Sequence, residues 1–375
     1  MAAPLHVWTR LLRWRSFAVS LTCLVISVVL GTAPSVGAAT TTTTSLPLSV
    51  NHKWVDQDVS FVVHGLTIYA TFRHPVGDAT TVPAVLLIAG SGPTDRNGNS
   101  TVESGPINTL KTLADWLSQD GVASLRYDKL GSGKTGLGPY LSDVDSIGIK
   151  PFEQESLAAL KFLAAQKGVN DKLLGVFGHS EGALFALLLA TGHAGESPPI
   201  HALGLFEPLS LRYLSLITVQ VDAQVAAQVK SGEISSSIAK TVDKTLNKAV
   251  AKLRASGTVA ADLPYGIDNL LNASTAKFLY EADKFDPQQL AEALPAMIPV
   301  LLSCSTADVQ VSCSQVDRID EGLIKAGAKA QFVHLVGVDH VLKVDSSMSG
   351  ANYTKNLPFS PALRAALETF VKNSL

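Results

Sequence analysis

The pentapeptide Gly178-His179-Ser180-Glu181-Gly182 sets a serine between two glycines at G-x-S-x-G spacing. A serine hydroxyl is a weak nucleophile until a base takes its proton. The flanking glycines suit a tight strand-to-helix turn, where neighbouring backbones pass too closely for side chains. The flanks supply that context, because an apolar run at residues 173–177 precedes the motif and a helical pattern at 182–190 follows it. A serine on such a turn projects its hydroxyl at a helix N-terminus, whose dipole favours developing negative charge. The same pentapeptide elsewhere would be an ordinary helix start. Here Ser180 reads as a nucleophile.

The base and its orienting acid are expected later in the chain, in the order Ser, Asp, His. Asp308 follows an apolar run at 299–302, in Ser303-Cys304-Ser305-Thr306-Ala307-Asp308, and His340 follows another at 331–336, in Gly337-Val338-Asp339-His340. Both fall in loops at strand C-terminal ends, where open α/β sheets build their sites. Asp339 rivals Asp308, but an acid adjacent to its own histidine is badly placed to hold Nδ1. Asp317 and Asp320 sit on the next helix and read as solvent-facing. His179, His193, His201 and His334 read as surface or structural histidines.

Acyl transfer also needs donors aimed at the developing oxyanion. One candidate is the backbone N–H of Glu181. The second should come from the loop after the third strand, Ala89-Gly90-Ser91-Gly92-Pro93, where we expect Ser91, with Gly92 as the fallback. A plain glycine-rich turn is the bland alternative. Two further signals fail. Gly131-Ser132-Gly133-Lys134-Thr135 imitates the end of a phosphate loop, but Asp128 stands where the pattern needs glycine. Asp95-Arg96-Asn97-Gly98-Asn99 faintly suggests a calcium loop, but its spacing does not continue, so no metal is expected. Cys304 and Cys313 bracket Asp308 and are a possible disulfide; two separate thiols are the alternative.

These residues need a scaffold. A hairpin is expected at 61–72, turning at His64-Gly65, and continuous apolar runs at 84–88, 122–127, 173–177, 202–206, 299–302 and 331–336 read as strands buried on both faces. Helical patterns at 107–117, 152–166, 182–190, 316–326 and 361–371 alternate with them, which implies a mostly parallel sheet between helices. Residues 209–294 break the rhythm, with helical periodicity at 219–229 and 238–253, and Asp286-Pro287 reads as an N-cap with proline at the first helical position. That stretch reads as a helical cap inserted between the sixth and seventh strands; helices packed on the core are the alternative.

Apolar residues make up 46% of the 375 and charged residues 17%, which suits a packed core and not a disordered chain. With 30 basic and 32 acidic residues and no basic block, nothing in the charge favours nucleic acid. Residues 1–38 read as a signal peptide. Arg10, Arg13 and Arg15 precede an apolar run at 17–30, and Val36-Gly37-Ala38 offers a cleavage site. The run is short for a membrane span, which takes roughly 20 apolar residues, although a retained anchor is the alternative reading. Removal would take away three basic residues and no acid, moving the formal charge from −2 to −5. A polar leader is expected at 39–54, then a core at 55–208 and 295–375 around the cap at 209–294.

Together these residues resemble the α/β-hydrolase superfamily, and more narrowly its bacterial serine aminopeptidase-like and esterase branch. The resemblance covers roughly residues 55–375. Besides the Ser180 elbow, it rests on residues 87–99, on Arg126-Tyr127-Asp128-Lys129-Leu130-Gly131-Ser132-Gly133-Lys134, and on Gly337-Val338-Asp339-His340-Val341-Leu342-Lys343. Two positions depart from the pattern: Ala89 stands for the usual histidine, and Leu130 for a frequent arginine. The resemblance implies an eight-stranded sheet, a Ser-His-Asp hydrolase and a variable cap. The expectation is an exported hydrolase of carboxylic esters or thioesters, with Ser180 as nucleophile, His340 as base, Asp308 as orienting acid and no cofactor. An aminopeptidase using cap acids such as Glu281 or Asp283 to bind an α-amine is the alternative, as is a non-catalytic binding protein on the same fold.

Overall fold

The computed structural model describes residues 53–77 and 81–375. The proposed signal peptide and nearly all of the polar leader lie outside the described residues. The chain opens with a hairpin, β1 (Trp54–Val63) and β2 (Leu66–Pro75), turning at His64-Gly65 with both residues at positive φ. The strands β3 (Val82–Ile88), β4 (Ala123–Tyr127), β5 (Val169–His179), β6 (Ala202–Phe206), β7 (Pro299–Ser305) and β8 (Lys329–Leu335) complete one sheet. Its order is β1-β2-β4-β3-β5-β6-β7-β8. Only the β1/β2 and β2/β4 pairs are antiparallel; every pair from β4 through β3 to β8 is parallel.

The continuous apolar runs follow from this layering. Along β3, Leu86 and Ile88 enter one buried cluster while Val85 and Leu87 enter another, so successive side chains serve opposite faces. Helices α1 (Thr109–Gln119) and α9 (Pro361–Ser374) cover the second face through Leu110, Leu113, Leu363 and Leu367. The first face is covered by α2 (Lys150–Ala164), α3 (Glu181–Ala190) and α8 (Cys313–Ala326). Helix α3 directly follows the elbow and, beyond Glu181, is apolar all round, with nine of its ten residues buried. An amphipathic stripe would not suffice for a helix buried on every side.

Between β6 and β7 the chain forms α4 (Tyr213–Ser231), α5 (Ser236–Ser256), α6 (Ala273–Ala282) and α7 (Pro287–Glu292). Helices α4, α5 and α6 share a cluster of their own, built on residues such as Leu214, Val221, Leu246, Leu253 and Leu279. The short α7 joins the main core through Leu290 and Ala291. Asp286 caps α7 by accepting from the Gln288 N–H, with Pro287 at its first turn. No described helix is long and apolar enough to cross a membrane.

Candidate active site

Ser180 stands between β5 and α3 as the N-cap of the helix, with φ 54° and ψ −120°, a region that side-chain-bearing residues rarely enter. The two motif glycines show why the turn needs them. A Cβ on Gly178 would lie 2.2 Å from the backbone of Gly182, and one on Gly182 would lie 2.2 Å from the Ile88 carbonyl oxygen. Elbow, helix and β3 are therefore in backbone contact. The strained residue is pinned by hydrogen bonds: Ser180 N–H donates to the Phe206 carbonyl at 2.9 Å, and Leu209 N–H donates to the Ser180 carbonyl at 3.1 Å.

His340 lies in the loop after β8, and its Nδ1 is 2.7 Å from Asp308 Oδ2. Both side chains are buried. The other Asp308 oxygen accepts from the N–H groups of Gln310 (2.7 Å) and Val311 (3.0 Å), so the carboxylate is fully directed. Burial alone would lower the pKa of His340, but the charge and hydrogen bond of the Asp308 carboxylate together outweigh it, and the net shift is upward. Asp339 has a different task. Its Oδ1 accepts from Val341 N–H and Lys343 N–H and shapes the turn that carries His340.

Ser180 and His340 line the same cavity, of about 880 Å³, together with Gly90, Ser91, Lys129 and Glu181. Gly90 abuts the elbow, since a Cβ there would lie 3.3 Å from Ser180 Cβ. Glu181 is the first residue of α3, and its N–H has no acceptor within the helix. Farther out the cavity is walled mainly by apolar side chains, among them Leu137, Ile147, Phe152, Leu216, Ile217 and Phe278.

Three neighbours were not singled out by sequence reasoning as part of this site. His179 is buried, its Nε2–H donating to the His340 carbonyl at 2.7 Å, with ring centroids 5.0 Å apart. Burial and the adjacent His340 push its pKa down to about 3, so it is a neutral brace for the His340 backbone. Its position inside the motif was the available signal. Glu207, at positive φ after β6, is buried and accepts from Ser305 Oγ (2.6 Å) and Ser303 Oγ (3.0 Å). Burial raises its pKa to about 8, with Asp308 adding to the rise. Lys129 pairs with Glu181 at 2.9 Å in the buried floor of the cavity. Neither Glu207 nor Lys129 stands out by spacing, because only the sheet brings them to the site.

The cap acids considered for binding an α-amine are committed elsewhere. Glu281 accepts from Ile149 N–H at 2.8 Å, while Asp283 is buried against Arg212, Arg254 and the Leu214 N–H. Neither lines the cavity. The Asp95 loop is closed by Asx turns, with Oδ1 accepting from Asn97 and Asn99 N–H. Cys304 Sγ and Cys313 Sγ are joined at 2.07 Å, closing the loop that carries Asp308. His334 lies beside this pair, its Nδ1 3.4 Å from Cys304 Sγ.

A mostly parallel eight-stranded sheet between two helical layers, with a helical excursion after β6, is the α/β-hydrolase fold. No protein-family model and no curated protein matches the chain. Solved structures do. Est1E from Butyrivibrio proteoclasticus, with ferulic acid bound, aligns at TM-score 0.51 and 16% identity over 84% of this chain and 98% of its own. The Pyrococcus furiosus esterase PF2001 aligns at TM-score 0.51 and 14% identity, over 86% of this chain and 91% of its own. At such identities the likeness concerns the fold.

Proposed function

We propose that this chain is a serine hydrolase that cleaves carboxylic esters or thioesters through an acyl-enzyme. The observation that carries the reading is the meeting, in one cavity, of an elbow serine at φ 54° and a buried histidine held at Nδ1 by a buried aspartate. In this reading His340 takes the Ser180 proton as Oγ attacks the acyl carbon. Asp308 fixes the Nε2-unprotonated tautomer of His340 and stabilises the imidazolium that forms. The N–H groups of Ser91 and Glu181 hold the oxyanion. His340 then returns the proton to the leaving alcohol or thiol, and water repeats the sequence to release the acid.

Esters are favoured over peptides because the outer cavity is apolar and because Glu281 and Asp283 are occupied by structural bonds. The helices α4 to α6 act as the cap that sets acyl and leaving-group size, since Leu216, Ile217 and Phe278 wall the cavity. Export through the N-terminal segment is part of the same reading. It is supported by the Arg-led apolar run and by a Cys304–Cys313 bond, which suits an oxidising compartment.

The test is hydrolysis of aryl esters of graded acyl length beside aminoacyl anilides, with Ser180→Ala as control. The expected result is ester turnover that disappears in the variant. Turnover that survives Ser180→Ala removes the assigned nucleophile, and anilide turnover above ester turnover replaces the esterase reading with the peptidase one.

A further inference from the structure

The buried ion pair on the cavity floor has a geometry that the triad does not use. Lys129 Nζ donates to the carbonyl oxygen of Gly90 and, at 2.9 Å, to Glu181 Oε1. The other oxygen of Glu181 accepts from Tyr213 OH at 2.5 Å. Lys129 and Glu181 are both nearly inaccessible, with side-chain exposures of 5% each. One chain of hydrogen bonds thus joins the loop after β3, the nucleophile elbow and the first helix of the excursion.

The Gly90 carbonyl and the Ser91 N–H belong to one peptide unit. That unit is planar and trans, so its C=O and N–H point in opposite directions. Holding the carbonyl down onto Lys129 therefore fixes the direction of the Ser91 N–H, in a loop that abuts Ser180. The anchor for Lys129 is the side chain of Glu181, whose own N–H is the other oxyanion donor.

We infer that Lys129 is a positioning residue that aims the Ser91 N–H at the oxyanion, and that Glu181 and Tyr213 hold it in place. Lys129 acts through the peptide it orients. The inference rests on the serine-hydrolase reading above. Its energetic logic is that a mis-aimed donor costs transition-state binding but little ground-state binding. Losing an oxyanion donor outright costs about 10²–10³ in kcat, so a donor left free to turn should cost roughly 10–100-fold.

The experiment measures kcat, KM and inhibition by an aryl boronic acid, whose tetrahedral adduct on a serine places an oxygen where the oxyanion forms. Lys129→Met is expected to lower kcat roughly 10–100-fold with KM within about threefold, and to weaken the boronic acid by a factor that follows kcat. Tyr213→Phe, which removes one hydroxyl and leaves the ion pair, is expected to give a smaller loss, about 3–10-fold, in the same two quantities. If Lys129→Met leaves Glu181 unpaired and unfolds the protein, Tyr213→Phe and the charge-neutral pair Lys129→Met with Glu181→Gln carry the test. Unchanged kcat, or a loss in KM with boronic acid affinity retained, would overturn the inference. A parallel Ser180→Ala sample separates the two levels: activity surviving there defeats the hydrolase reading, whereas a dead Ser180→Ala beside an unimpaired Lys129→Met defeats only this inference.

Discussion

Asp308 carries two consequences for one imidazole. It sets the tautomer of His340 through the 2.7 Å bond to Nδ1, and its charge raises a pKa that burial alone would lower. In the proposed mechanism His340 serves as base only when neutral, so kcat/KM should rise with pH through a value above the ordinary 6.5 of histidine. In Asp308→Asn burial wins, and the acidic limb should move to lower pH while kcat falls by about 10⁴. A pH–rate profile of the two proteins tests this. An acidic limb that stays in place would mean another group sets it, with Glu207 a candidate. Sequence order and loop position singled out Asp308 over Asp339, because Asp339 adjoins its own histidine. What sequence could not express is the work Asp339 does instead, capping the turn from 339 to 343, or the bracing of the His340 carbonyl by His179. The second of these arises from a loop folding back on a strand 161 residues away.

The elbow and the β7–α8 loop position the serine and the acid by different means. The elbow depends on the absence of atoms. In Gly182→Ala the new Cβ would enter the Ile88 carbonyl at 2.2 Å, and both neighbours are backbone. Helix α3 must then lift off β3, at a cost of about 3 kcal/mol, the upper range for overpacking. Thermal unfolding should show a lower Tm, with activity falling in step as the elbow loses its pinned geometry; an unchanged Tm would contradict the close approach. The β7–α8 loop is held by a covalent link. The Cys304–Cys313 pair spans nine residues, and loop-closure entropy assigns such a link about 2–3 kcal/mol. Replacing both cysteines by alanine should lower Tm by a corresponding amount. It should spare most activity, because Asp308 keeps its bonds from Gln310 and Val311. Loss of activity without loss of stability would show that the link orients the acid directly. The glycine spacing made the elbow readable from sequence. The excursion was readable as helical and was expected to be a cap, but α6 and the cluster that α4 to α6 share were not legible, because they depend on packing between distant turns.

At the scale of the whole molecule, several acids are buried with pKa values above their ordinary range. Burial raises Glu155 and Glu207 to about 8 and Asp339 to about 6. The alternating pattern of strands and helices made the sheet legible, but not these residues, since an acid in a helix or at a strand end reads as a solvated one. Glu155 is spent on the Leu130 N–H beneath the loop after β4, and Glu207 on two serines of β7. Between about pH 4.5 and 8 the folded chain holds protons on these groups that the unfolded chain has released. Stability therefore falls as pH rises across that window. His340 adds to the slope above its ordinary value of 6.5, because its folded pKa is raised and its stabilising charge is lost as pH climbs. His179 opposes it, since a histidine held neutral down to about pH 3 favours folding as pH rises, but only up to about 6.5. The opposition is gone above that point, so the decline should be steepest between pH 6.5 and 8. Melting curves at constant ionic strength should give a higher Tm at pH 6 than at pH 8. Glu155→Gln and Glu207→Gln should each narrow the difference, because an amide has no proton to lose and keeps an acceptor oxygen for the Leu130 N–H and for one of the two serines. A Tm that rises from pH 6 to pH 8 in the unsubstituted protein would mean that these carboxyls are ionised in the folded chain, and that the polar groups around them stabilise charge more strongly than burial opposes it.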